Sequence, residues 1–219
     1  MATRFSRSRR GIKIRLEPGE LHLLDQLFAD VARLLADDTP PSLDPLAAEL
    51  GLSDLGLSEN VAPPEDPAVA RLLPDASPDP AAAGEFRRFT ERGLRRRKVE
   101  GLRTVRNTLA AAEPGRGHWP QQATDEDVRV RLDDDAAHAW VVALTDLRLV
   151  LAERLGVRTE ADAEAVHERA DDADADDPAA WLAMVYDFVS WLQESLAEVL
   201  LADLPPGGEG RRVAPPPSV

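Results

Sequence analysis

The chain has 219 residues, 43% hydrophobic and 30% charged, with no cysteine and a net charge of −14. That composition fits one large domain, or a core domain with extensions, and not a fully disordered chain. The missing cysteine excludes a disulfide framework, a thiol nucleophile, a zinc ribbon and a thiolate-bound iron–sulfur centre.

No apolar run approaches the roughly 20 residues that span a bilayer. The basic N-terminal stretch lacks the apolar segment of a signal peptide, so the expected location is the cytoplasm, with no membrane partner. Charge is uneven along the chain. Residues 1–112 carry 17 basic and 17 acidic groups, and residues 113–219 carry 9 basic and 23 acidic. Of the 26 basic residues, 15 fall in the segments 4–15 and 87–106.

In chain order, residues 1–10 read as a basic flexible arm. Residues 11–16 (Gly-Ile-Lys-Ile-Arg-Leu) alternate apolar and basic, which predicts a strand. A helix follows from Glu17-Pro18 to about Ala36, with Leu21, Leu24, Leu27, Phe28, Val31, Leu34 and Leu35 on one face. Residues 44–50 make one or two helical turns, 53–66 a loop, and Asp66-Pro67 opens a short helix that Pro74 ends. Asp79-Pro80 begins the longest helix, to about Ala112, a rod of about 50 Å. Phe86, Phe89, Leu94, Leu102, Val105 and Leu109 are expected to mark its buried side.

Residues 113–124 read as a loop, and 128–132 (Val-Arg-Val-Arg-Leu) alternate as a second strand. A lone strand leaves its backbone groups unsatisfied, so 11–16 is expected to pair with 128–132. Asp133 caps a helix that runs to Leu155 and closes at Gly156. Residues 158–177, with nine Asp/Glu, read as an acidic linker with at most a turn of helix. Asp177-Pro178 opens the last helix, to about Leu204, and 205–219 reads as a disordered tail. The expected fold is mainly α: a helical bundle of three long helices plus short ones, with a small two-stranded β element. Residues 11–204 form a single domain.

Nothing in the chain reads as an enzyme site. There is no phosphate loop, GxSxG elbow or HExxH. His22, His118, His138 and His167 are scattered and read as surface or edge histidines. The acidic run 171–177 lacks the glycine and terminal glutamate of a calcium loop. No catalytic residue, cofactor or metal is expected.

The basic segments carry the candidate site. On the long helix, Arg88, Arg92, Arg95, Arg96, Arg103 and Arg106 follow steps of three, four and seven, which places them on one side. Arginine's planar fork suits phosphate and carboxylate alike. The strip can therefore meet DNA or RNA, dock on the acidic 158–177 segment, or stay solvated. The arm adds Arg4, Arg7, Arg9 and Arg10, with Lys13 and Arg15 beyond it. Arm and helix together neutralising about six phosphates would give a slope of log K against log salt near −5. Trp181, Tyr186 and Trp191 cluster on the last helix as core or as a protein-facing patch.

Three blocks carry a family resemblance. The first is Asp66-Pro67-Ala68-Val69-Ala70-Arg71-Leu72-Leu73-Pro74 with Glu85-Phe86-Arg87-Arg88-Phe89. The second is Ala139-Trp140-Val141-Val142-Ala143-Leu144-Thr145-Asp146-Leu147 with Arg154-Leu155-Gly156. The third is Tyr186-Asp187-Phe188-Val189-Ser190-Trp191-Leu192. In order, across about residues 4–200, they resemble the actinobacterial AosR-type family of oxidative-stress transcriptional regulators, formerly a domain of unknown function. The resemblance implies a transcriptional regulator with DNA, a sigma factor or RNA polymerase as partner, and a second link to a Clp protease adaptor. A redox regulator is expected to sense through paired cysteines. This chain has none, so no sensing residue is carried over.

Overall fold

A computed structural model describes residues 2–9, 11–37, 62–112, 127–171 and 177–202. The elements in order are β1 (Ser6–Ser8), β2 (Gly11–Leu16), α1 (Pro18–Asp37), α2 (Pro67–Leu72), α3 (Pro80–Ala112), β3 (Val128–Leu132), α4 (Asp134–Leu155), α5 (Glu160–Asp171) and α6 (Pro178–Ala202). The fold is mainly helical with one small antiparallel sheet. Among the described residues four helices reach 20 residues or more, one beyond the three expected. The expected helix 44–50, loop 113–124 and tail 205–219 lie outside the described residues.

The pairing of 11–16 with 128–132 is present, with Ile12 opposite Leu132 and Leu16 opposite Val128. The arm, expected to be flexible, instead adds a third strand: Ser6 pairs with Lys13 and Ser8 with Gly11. Its anchor is apolar. Phe5 is buried against Trp140, ring centroids 5.8 Å apart and edge to face. The amide of Phe5 donates to Ser195 Oγ on α6 at 2.7 Å. Gly11 turns the chain between β1 and β2 with φ of +104°, and a Cβ there would lie 2.2 Å from the Leu132 carbonyl oxygen. Only glycine tolerates both demands.

The inner face of the sheet (Ile12, Ile14, Leu16, Val130 and Leu132) joins Leu21, Leu24, Phe28 and Leu35 of α1 and Leu102, Val105 and Leu109 of α3 in one core. Trp140 of α4 lies fully buried at its centre, its Nε1 donating to Thr108 Oγ1 at 2.8 Å. A buried indole N–H needs such a partner. Asp133 caps α4 through the Ala136 amide, and Gly156 closes it in the left-handed conformation. Short α2 docks on the end of α4 through Asp66–Arg154 (2.6 Å) and Arg71–Glu153 (2.7 Å), with Val69 and Leu72 beneath.

The acidic stretch expected as a linker is largely helix. α5 spans Glu160–Asp171 and packs on α6, with Val166 buried. Thr159 and Asp162 close its first turn reciprocally, which supplies the cap that the acidic composition obscures. Residues 172–176 lie outside the described residues.

Candidate nucleic-acid interface

The buried stripe of α3 departs most from expectation. Gly84, Arg87, Glu91, Arg95, Leu102, Val105 and Leu109 face inward, whereas Phe86 and Phe89 are 52% and 64% exposed. The helical spacing is continuous, but its N-terminal half is charged. Charges are buried only when paired. Arg87 pairs with Asp75. Arg95 donates twice to Glu91 Oε1, at 2.9 and 2.7 Å, and once to the Leu35 carbonyl at 2.9 Å. Lys98 reaches the buried Asp146 at 2.6 Å. Burial pushes the Asp146 carboxyl up, and Lys98 offsets part of that rise.

The expected cationic strip is therefore divided. Arg95 is core, which corrects its assignment to a nucleic-acid surface. Arg106 is half-buried and bidentate on Asp25 of α1, at 2.7 and 3.2 Å, and Asp25 pushes its guanidinium pKa up. Arg88 lies over the Phe89 ring at 4.5 Å. Arg92, Arg96 and Arg103 remain on the exposed side. Among the described residues, Arg87, Arg95, Lys98 and Arg106 pair with Asp75, with Glu91 of α3 itself, with Asp146 of α4 and with Asp25 of α1.

The arm is likewise partly engaged. Arg4 pairs with Glu198 at 2.7 Å and Arg7 with Asp134 at 2.9 Å, both at the surface. Arg9 is exposed in the turn after β1, and Arg10 lies outside the described residues.

The outer face of the sheet gathers cations from both ends of the chain. Alternation turns Lys13 and Arg15 of β2 and Arg129 and Arg131 of β3 to solvent. The register sets Lys13 opposite Arg131 and Arg15 opposite Arg129. Among the described residues, none of the four has an ion-pair partner, and the rest of the paired face is Ser6, Ser8 and Gly11. Among the described residues, Glu17, Asp127 and Asp133 flank the strand ends, and Asp133 and Asp135 share a groove with Arg129 and Arg131. Like charges directly opposite on a sheet destabilise it, by about 1 kcal/mol or less per pair in water. A groove of about 580 Å³ borders this face, lined by Thr104, Asn107 and Thr108 of α3, Arg129 and Arg131 of β3, and Asp133 and Asp135.

Elsewhere, His167 on α5 meets Asp187 on α6 at 2.6 Å, a pairing that sequence spacing does not show. It is exposed and ties two helices together. Among the described residues no group of three or more His, Cys, Asp or Glu side chains is placed to hold a metal ion. Among them, too, no helix is long and apolar enough to cross a membrane.

A family model described as "Domain of unknown function (DUF2017)" matches residues 2–200. The chain belongs to the DUF2017 family. This DUF2017 chain is 31% identical over 196 residues to "Putative oxidative stress regulator AosR" of Mycobacterium leprae (strain TN), covering 84% of this chain and 80% of that relative. No solved structure matches it. Within this DUF2017 fold, Arg129 and Arg131 are cations that belong to neither basic segment of the sequence. The signal was present in the alternation of 128–132, but two arginines far from any basic cluster stand out only once β3 is laid beside β2. The aromatic cluster of α6 is split: Tyr186 is buried, Trp191 stacks with Phe188 at 6.4 Å, and Trp181 is 46% exposed.

Proposed function

We propose that this DUF2017 chain is a non-enzymatic, cytoplasmic regulator of the oxidative-stress response that acts on transcription by contacting DNA, alone or together with a sigma factor or RNA polymerase. The likeness to the Mycobacterium leprae protein, named as an oxidative stress regulator, carries the regulatory part of the reading. The DNA part is supported by the exposed cations Lys13, Arg15, Arg129 and Arg131, which have no ion-pair partner among the described residues, in a molecule whose net charge is −14. A uniformly acidic protein repels nucleic acid. Screening beyond about 8–10 Å lets a local cationic face act alone. With no cysteine in the chain, the oxidative signal would reach it through a partner.

The test is retention of duplex DNA by the purified protein across a salt series, read by fluorescence anisotropy. Binding that weakens linearly in log salt is the expected result. No binding at low salt would remove DNA from the proposal.

A second reading is a protein-interaction module for a sigma factor or a Clp protease adaptor, without DNA contact. The observations that favour it are the exposed apolar side chains Trp181 and Met184 on α6 and Phe86 and Phe89 on α3. Co-purification with sigma factor that is lost in Trp181→Ala and Phe89→Ala variants, with no DNA retention in the parent, is its expected signature.

A further inference from the structure

Resting on the DNA reading above, we propose that the outer face of the β2–β3 pair is the docking surface, with Lys13, Arg15, Arg129 and Arg131 contacting the phosphate backbone of duplex DNA. Three arguments converge. The first is placement. Both inward rows of these strands are core, so the outward rows are held by a rigid backbone. The four cations occupy a patch of about 5 Å across the strands and 7 Å along them.

The second argument is repulsion. Each cation stands opposite another, and among the described residues no carboxylate separates them. An anion seated between opposed cations turns that repulsion into attraction. The third is composition. Three of the four are arginines, whose fork takes two phosphate oxygens at once, and the neighbouring Ser6 adds a short hydroxyl donor, whereas the Ser8 hydroxyl donates to the Gly11 carbonyl. No Asn or Gln stands on the paired face to read adenine.

A duplex fits this surface better than an acidic peptide. It carries one charge per roughly 1.7 Å of axis on a rigid scaffold, and sheet faces and ribbons are known to enter its grooves. A peptide must be ordered before its carboxylates can match a fixed array.

The test uses the full chain, a fluorescent 20-base-pair duplex of arbitrary sequence, and a series from about 50 to 200 mM salt. The parent is compared with the quadruple variant Lys13→Gln, Arg15→Gln, Arg129→Gln, Arg131→Gln, and with Arg92→Gln, Arg96→Gln, Arg103→Gln on the competing face of α3. Four phosphate contacts predict that the quadruple variant loses about 3 to 4 units of salt slope, equivalent to roughly a hundredfold change in affinity across that range. Thermal melting checks the fold. Relief of the opposed charges predicts a midpoint at or above the parent's.

If the parent binds DNA and the quadruple variant keeps its slope, this assignment fails while the regulator reading stands. The same holds if the α3 variant takes the whole loss. If poly-glutamate of equal charge competes as well as the duplex, the surface is an acidic-protein site and the DNA assignment is overturned. If the parent binds no DNA at low salt, the DNA part of the proposed function fails first and takes this inference with it.

Discussion

Arg95 of α3 donates from Nη1 to the carbonyl oxygen of Leu35 at 2.9 Å, so a side chain in the middle of one helix satisfies the C-terminal end of another. The last four carbonyls of a helix lack intrahelical donors, and Leu35 is one of them in α1. The same guanidinium neutralises the buried Glu91. Arg95→Ala should therefore cost about 3–5 kcal/mol by urea denaturation, because Glu91 stays buried without its partner. The double variant Glu91→Leu, Arg95→Met should recover most of that loss. An exposed strip arginine would give a change under about 0.5 kcal/mol.

Phe5 supplies a second measurement. Packed between Trp140 and the sheet, with its amide on Ser195, it should lose about 3–5 kcal/mol when changed to Ala. Urea denaturation followed by tryptophan fluorescence and circular dichroism reads this. A silent Phe5→Ala would mean that the N-terminal strand is detached in solution.

Gly11→Ala should disturb the sheet more than any other single methyl addition there. The new Cβ meets the Leu132 carbonyl oxygen, and φ of +104° disfavours any side chain. A loss on the order of 1–3 kcal/mol is expected, with faster amide exchange at Ile12 and Leu132, the pair nearest the turn.

Two aspartates should respond to pH in opposite senses. The hydrogen bond from Arg154, together with the backbone donor Ala68, holds the Asp66 carboxyl below its ordinary value of 3.8. Its contribution to stability is present above about pH 4 and is lost as pH falls through the folded value. Burial raises Asp146 above 3.8. The folded state therefore favours its protonated form, and that advantage is lost as pH rises through the folded value. Against the parent, Asp66→Asn should look most destabilising at neutral pH, with the gap closing in acid. Asp146→Asn should show its larger gap in acid. Urea midpoints between pH 3 and 7 check both.

The sequence carried the strand pairing and most of the helix boundaries because alternation and caps are local signals. The β2–β3 register follows from Ile12, Ile14, Val130 and Leu132, and α4 from Asp133 and Gly156. Three features were hidden. The arm became a strand because one aromatic, Phe5, found a pocket built by α4, a long-range contact that composition does not reveal. In the N-terminal half of α3, hydrophobicity alone predicts the wrong phase. Phe86 and Phe89 lie outside, and Arg87, Glu91 and Arg95 lie inside because each finds an ionic partner. The stretch 160–171 was judged by its acids, while Val166 and the Thr159–Asp162 cap decided its fold. The candidate site suffered from the same cause: density of charge along the chain pointed to α3, where much of that charge is already spent on the fold.

The placement of Lys13, Arg15, Arg129 and Arg131 side by side on one face also gives that face a local positive field. A polyanion approaching the sheet would be drawn in over about one Debye length. Orientation would thus be selected during encounter, before any close contact forms, and ionic strength would act on the association rate.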